Sequence, residues 1–363
     1  MYYDRSSNTE HCDPFRVSIP ESKAALGPET RSTRIVADVA SKSVERLRRL
    51  VRAENNSVLA VTGERGAGKT TTLERIVADL PHNEVLQLRC QFGHFPELLS
   101  QLGEQLRIQG ADEQSVRDHL QHAEPMVIVV DDAQRLVRPI IGGLDDIDLL
   151  IDFAHRVDGS TSWLVAIGAP AWQYVRRARG ERATFDEVLD LEPWTERQIA
   201  QLVRLRSESL DIAPSFDSLV VPRQFDDGQL SDTERTERDY YRILWNASEG
   251  NPAVSLNLWQ KSLFRQAGSS NIVVRLFKPP AATALDDLPA TMYFVLRAIV
   301  QLELAQELDI VLATGLTPAD VTHALRAART RGIVEPVGNR FRITLEWYRT
   351  VTQVLRRQHL LIM

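Results

Sequence analysis

Residues 57–76 read SVLAVTGERGAGKTTTLERI, and this stretch decides the fold. The apolar run Val58, Leu59, Ala60 and Val61 predicts a buried strand, followed at once by a glycine-rich turn and a helix-forming segment. The turn fits G-x-x-x-x-G-K-[ST], with Gly63, Gly68, Lys69 and Thr70 at the fixed positions. Glycines permit backbone angles that turn successive N–H groups inward around phosphate oxygens. The loop from Gly63 through Glu64, Arg65, Gly66, Ala67 and Gly68 to Thr71 is therefore the candidate phosphate cradle. Lys69 adds a point charge that reaches the β- and γ-phosphates, and Thr70 offers a hydroxyl to a magnesium ion. The helix that follows presents its positive end to the anion. The expected ligand is a nucleoside triphosphate, ATP, with Mg2+.

The next strong signal is MVIVVDD at residues 126–132. Five apolar residues ending in two aspartates describe a parallel strand buried on both faces, with its carboxyl end at the ligand edge of the sheet. Where a phosphate loop is present, the first acid at this point holds magnesium, usually through water, and the second activates the attacking water. Asp131 is accordingly the candidate magnesium residue beside Thr70, and Asp132 the candidate catalytic one.

The bulk numbers bound the rest. A chain of 363 residues with 43% apolar content holds two or three domains. Lys plus Arg is 43 against 49 Asp plus Glu, giving a formal net charge of −6. From Thr317 onward, eight arginines face three carboxylates, a local +5 that leaves −11 for the remainder. A basic C-terminal module on an acidic body fits a polyanion-binding face or a solvated helical surface. The two cysteines, Cys12 and Cys90, have no metal-ligand spacing, which favours a reducing compartment over a disulfide scaffold. No apolar run approaches the roughly 18 residues of a membrane helix and no signal peptide opens the sequence, so a cytoplasmic protein is expected.

Along the chain, residues 1–40 read as an extended polar arm broken by Pro14, Pro20 and Pro28. A helix is expected over 41–53, strands over 84–88, 162–167 and 187–191, and helices over 95–108 and 112–122. Alternating strands and helices from 58 to 191 predict an α/β fold, a three-layer P-loop NTPase built on a parallel sheet. That core is assigned to 41–194. Residues 195–278 read as a helical lid: an amphipathic helix capped by Thr195, an irregular acidic stretch over 210–235, and a helical 239–261 broken at Glu249-Gly250-Asn251-Pro252.

After a Pro/Ala linker, residues 285–363 contain helices over 289–302, 303–313 and 318–331, then short strands over 333–337 and 340–344 around Gly338-Asn339. Three helices and a hairpin in this order predict a winged helix-turn-helix. Arg326 and Arg329 on its third helix, and Arg340 and Arg342 on its wing, are the candidate contacts to double-stranded DNA. A winged helix also serves protein contact.

GERGAGKT, VVDDAQRL and the C-terminal winged helix together resemble an AAA+ ATPase: TniB-type transposition helpers, ExeA-type secretion ATPases and origin initiators. The resemblance spans about 40–265 and, more loosely, 285–363. DDAQRL is similar to the DEAQ/DEAH-like tail of the first two groups, and LDLEPW at 189–194 to the segment after the arginine finger of the TniB type. That placement implies Arg182 as the finger and Arg179 as second choice, acting in a homo-oligomer assembled by ATP, with a transposase, nuclease or other effector as partner. Three departures stand out: Asp132 where these families usually carry Glu, a strand at 162–167 that ends in Gly-Ala-Pro with no polar sensor, and Ala253 where origin initiators place a sensor arginine. The acidic strand, EGNPAVSL and the winged helix also resemble the STAND signalling NTPases, in which Pro252 would pack near the nucleotide. That similarity implies a switch or scaffold whose winged helix binds protein. No N-K-x-D base-reading motif occurs, which disfavours a small GTPase.

Overall fold

The computed structural model describes residues 3–4, 12–15, 41–52, 56–78, 80, 85–90, 94–157, 160–180, 185–220, 231–266 and 270–361. The chain falls into two compact units. One comprises residues 40–192, 285–344 and 351–363, the other residues 1–39, 193–284 and 345–350.

In the first unit a five-stranded sheet is made of β1 (Ser57–Gly63), β2 (Val85–Arg89), β3 (Met126–Asp131), β4 (Thr161–Gly168) and β5 (Glu187–Asp190), in the order β2-β3-β4-β1-β5. Every pairing is parallel. β1 and β4 are buried along their whole length, which is why they read as continuous apolar runs instead of alternating ones. Alternate residues still separate into two cores. Val58, Ala60, Ile128, Val130, Trp163 and Val165 pack on one face with helices α3 (Phe95–Gln105), α4 (Glu113–His122), α5 (Asp145–Arg156) and α6 (Ala169–Arg179). Leu59, Val61, Val127, Val129, Leu164 and Ala166 pack on the other with α1 (Ser41–Arg52) and α2 (Lys69–Val77). This is the expected α/β three-layer P-loop NTPase fold.

Register fixes the working edge. Gly63 pairs with Gly168, and Arg89 with Asp131, so the carboxyl ends of β1 to β4 gather along one side of the sheet.

The same unit contains α10 (Ala290–Leu302), α11 (Glu307–Thr314) and α12 (Pro318–Thr330), which pack on one another. They are followed by a hairpin of β6 (Val334–Val337) and β7 (Arg340–Ile343) in antiparallel register. The second helix starts at Glu307, not at 303. Residues 303–305 instead form a turn, fixed by an antiparallel bridge between Ala305 and Phe341. A last helix, Leu345–Arg357, gives its first six residues to the other unit.

In that other unit lie α7 (Glu196–Ser209), α8 (Asp232–Ser248) and α9 (Pro252–Lys261). The Thr195 cap is present, as a capping box with Gln198. The expected irregular stretch ends earlier than 235, because Ser231 and Glu234 form a second capping box that starts α8 at Asp232.

Candidate functional site

Gly63 ends β1, and the chain turns through Gly66 and Gly68, both at positive φ (81° and 103°), into the first residue of α2, Lys69. Left-handed backbone at two positions favours glycine there. The turn folds back on the Lys69 side chain. Its ammonium donates to the Gly63 carbonyl (3.1 Å), the Glu64 carbonyl (3.2 Å) and the Glu303 carboxylate (2.8 Å). The next residue, Thr70, donates its hydroxyl to Asp131 Oδ2 at 2.8 Å, linking the loop to the end of β3.

A hydroxyl and a carboxylate oxygen held together at a helix N-terminus are the hard oxygen donors a magnesium ion takes alongside phosphate. These two residues therefore fit the ion. Its chemistry there would be to neutralise charge on the phosphates and to polarise the bond that is cleaved. Among the described residues no group of three or more His, Cys, Asp or Glu is placed to hold a metal ion.

Asp132 follows with φ 62°, and its backbone N–H donates to Asp131 Oδ1 (2.9 Å). The left-handed turn swings the Asp132 side chain away from that of Asp131. Its Oδ2 accepts from Arg89 Nε (2.7 Å), its Oδ1 accepts from Gln134 (3.1 Å), and Arg135 lies 3.7 Å away. Burial alone would raise this carboxyl, but Arg135 and Arg89 outweigh it and hold Asp132 below the ordinary carboxylate range. Gln134 is fully buried, and its side-chain oxygen accepts the Gly168 N–H (3.2 Å), tying the end of β3 to that of β4. Beside them the Cys90 thiol is pushed up to about 12 by burial.

Residues 51–173 match the family described as AAA domain. This stretch is an AAA domain. It runs from α1 into α6 and holds the phosphate loop, Arg89, Asp131 and Asp132. No curated protein matches the chain. Among solved structures the chain is similar to the ORC2 protein of Aeropyrum pernix in ADPNP–ADP complexes, with 12% identity, 93% of this chain and 97% of that one covered, and a TM-score of 0.43. It is also similar to the ORC1 protein of the same organism in complex with DNA (14%, 88% and 94%, 0.38) and to Cdc6p of Pyrobaculum aerophilum (15%, 93% and 97%, 0.35).

Around the AAA domain the other candidates separate. Arg182 lies outside the described residues. Arg179, at the end of α6, pairs through two nitrogens with Asp148 of α5. Pro252 is the first residue of α9, capped by Asn251, and belongs to the other unit. Arg326 and Arg329 are exposed on α12. Arg342 is half-buried and pairs with Glu335 across the hairpin at 2.7 Å, and Arg340 lies near enough to Arg135 to lower its pKa, after the larger effect of burial.

Sequence reading missed Arg89, Gln134 and Glu303. Gln134 sits inside the quoted VVDDAQRL, and Arg89 sits at the end of a strand that was itself expected. Their roles come from register and turn geometry, which no local pattern encodes. Glu303 had no signal at all.

Proposed function

We propose that this chain binds and hydrolyses ATP with magnesium and works as an ATP-dependent homo-oligomeric switch acting on double-stranded DNA. The observation that carries the reading is the joint one at the AAA domain. Lys69 is buried within its own loop, and Thr70 is hydrogen-bonded to Asp131 at the end of β3. That arrangement suits a triphosphate and its metal. Asp132 is the proposed water-activating group, and Arg182 the proposed finger for a neighbouring subunit, since a guanidinium suits developing charge on a γ-phosphate. Pro252 is the proposed nucleotide contact from the lid. Calorimetric titration with ATP–Mg2+ tests the core of the reading. Wild type should bind and Lys69→Ala should not; equal affinities would end the assignment.

One observation favours a second reading, a signalling or scaffold NTPase whose C-terminal module binds protein. Phe294, Leu308 and Leu312 are exposed apolar side chains on α10 and α11, while Arg342 is already neutralised by Glu335. Salt-sensitive retention of duplex DNA separates the two, because only phosphate contacts release counterions.

A further inference from the structure

The phosphate-loop lysine already holds an anion from its own chain. An ammonium has three N–H donors, and those of Lys69 meet two loop carbonyls and Glu303 Oε1. Both partners are largely buried, with side-chain exposures of 7% and 13%. We infer that Glu303 is an internal latch on the nucleotide site: triphosphate and Glu303 compete for Lys69, so that filling the site releases the C-terminal module. The inference rests on the nucleotide reading of the phosphate loop.

Several features of the chain serve this one contact. Glu303 follows α10 with φ 60°, a backbone conformation uncommon for a residue with a side chain. Such conformations persist where surrounding structure enforces them. Here the enforcing contacts are the paired hydrogen bonds of Ala305 with Phe341 on β7 (3.0 and 2.8 Å). Room for the carboxylate comes from Gly168 at the end of β4. A Cβ at Gly168 would stand 2.7 Å from Glu303 Oε1, while its nearest contact outside Glu303, Gln134 Cβ, would lie at an ordinary 3.6 Å. The strand end that carries no polar sensor is the strand end that admits Glu303. Two further contacts join the same loop to the C-terminal segments: Arg356 pairs with Glu64 at 3.0 Å, and Arg65 donates to the Ile343 carbonyl.

The competition follows from charge. A γ-phosphate seated on Lys69 would face the Glu303 carboxylate across one ammonium, whose third donor is the only one not given to a loop carbonyl. A buried carboxylate stripped of its cation is strongly disfavoured, so Glu303 must leave toward water. Residues 303–305 are hydrogen-bonded to β7, so that departure pulls on the hairpin. Linkage makes the effect reciprocal: whatever binds the released module tightens nucleotide binding by the same factor.

The test uses the full-length protein and measures ATP–Mg2+ affinity for wild type, Glu303→Gln, Gly168→Ala and Lys69→Ala. Glu303→Gln removes the charge, and Gly168→Ala evicts the carboxylate without touching it. Each should bind ATP at least about fivefold more tightly than wild type, the lower end of usual coupling between sites. In wild type, ATP should speed amide exchange at 303–305 and 341–343, and Glu303→Gln should show that faster exchange without ATP. Unchanged affinity in both variants, with Lys69→Ala still defective, overturns the latch and leaves the phosphate-loop reading standing. Binding by none of the four proteins overturns that reading and the latch with it. Unchanged exchange in wild type on saturation with ATP overturns the latch even if neither variant folds.

Discussion

Asp132 is held by two arginines, and its behaviour can be worked out from that. Because its folded-state pKa is lowered, its ion pairing stabilises the protein above the ordinary aspartate value of about 3.9, and the contribution is lost as pH falls through the folded-state value. Arg89→Ala should therefore destabilise at neutral pH, by under about 1 kcal/mol because the arginine is largely exposed, and the deficit should vanish in acid. Urea titrations from pH 7 stepwise into acid read this directly, the deficit shrinking as pH falls, and a deficit that does not shrink contradicts it. Asp132→Asn should bind ATP normally while losing about 10²- to 10⁴-fold in kcat, the usual worth of a general base. Cys90, with its thiol pushed up to about 12, should resist alkylation at pH 8.5 until denaturant is added. At this scale the sequence showed what one local spacing can hold. Lys69, Thr70 and Asp131 lie in two short motifs, so their meeting was readable. Arg89, Gln134 and Glu303 enter the site through strand register and a turn 234 residues away from Lys69 in sequence, and local pattern has no access to either.

At the scale of elements, the three inner strands β1, β3 and β4 were legible because each is an apolar run ending at a polar or glycine turn, while the edge strands VLQLR and EVLD carry a weaker pattern. Helices with strong end signals were legible too, as with Thr195. Two helices were not. Asp145–Arg156 starts after Leu144, a residue that cannot cap, so its start lacks the usual mark, and Leu345–Arg357 starts after Thr344, whose hydroxyl donates to the Gly332 carbonyl instead of accepting from the helix. The break at Glu249-Gly250-Asn251-Pro252 carries the opposite lesson, a turn fixed by local chemistry. Glu249 and Gly250 both have positive φ, and Asn251 caps α9 by accepting from Ala253 and Val254. A Cβ on Gly250 would come within 2.4 Å of the Trp194 carbonyl, a backbone atom unable to step aside. Gly250→Ala should therefore cost more than the roughly 1–2 kcal/mol of left-handed backbone alone. A chemical-denaturation midpoint within error of wild type would contradict the packing described for this turn.

At the scale of the whole molecule, the question is where the local +5 beyond Thr317 acts. Its arginines are not equivalent. Arg342 is committed to Glu335, Arg349 to Glu249, Arg356 to Glu64 and Arg357 to Asp286, whereas Arg326 and Arg329 are exposed on one helix, with Arg331 exposed just beyond its end. Counting basic residues in the sequence could not make that distinction, since the acidic partners of Arg349 and Arg356 lie about 100 and 292 residues away. On the DNA reading, Arg326→Ala with Arg329→Ala should weaken duplex binding and flatten the dependence of log K on log salt by about one unit for each phosphate that is no longer neutralised. Arg342→Ala should change it far less, because Glu335 already offsets that charge. Measured with ATP present, the same titration also reports the latch. If releasing Glu303 frees the module, ATP should raise duplex affinity in wild type, and Glu303→Gln should bind duplex tightly without ATP. A flat salt response, or equal binding by wild type and the double variant at low salt, would move the +5 face from nucleic acid to protein contact, where the exposed Phe294, Leu308 and Leu312 would supply the surface.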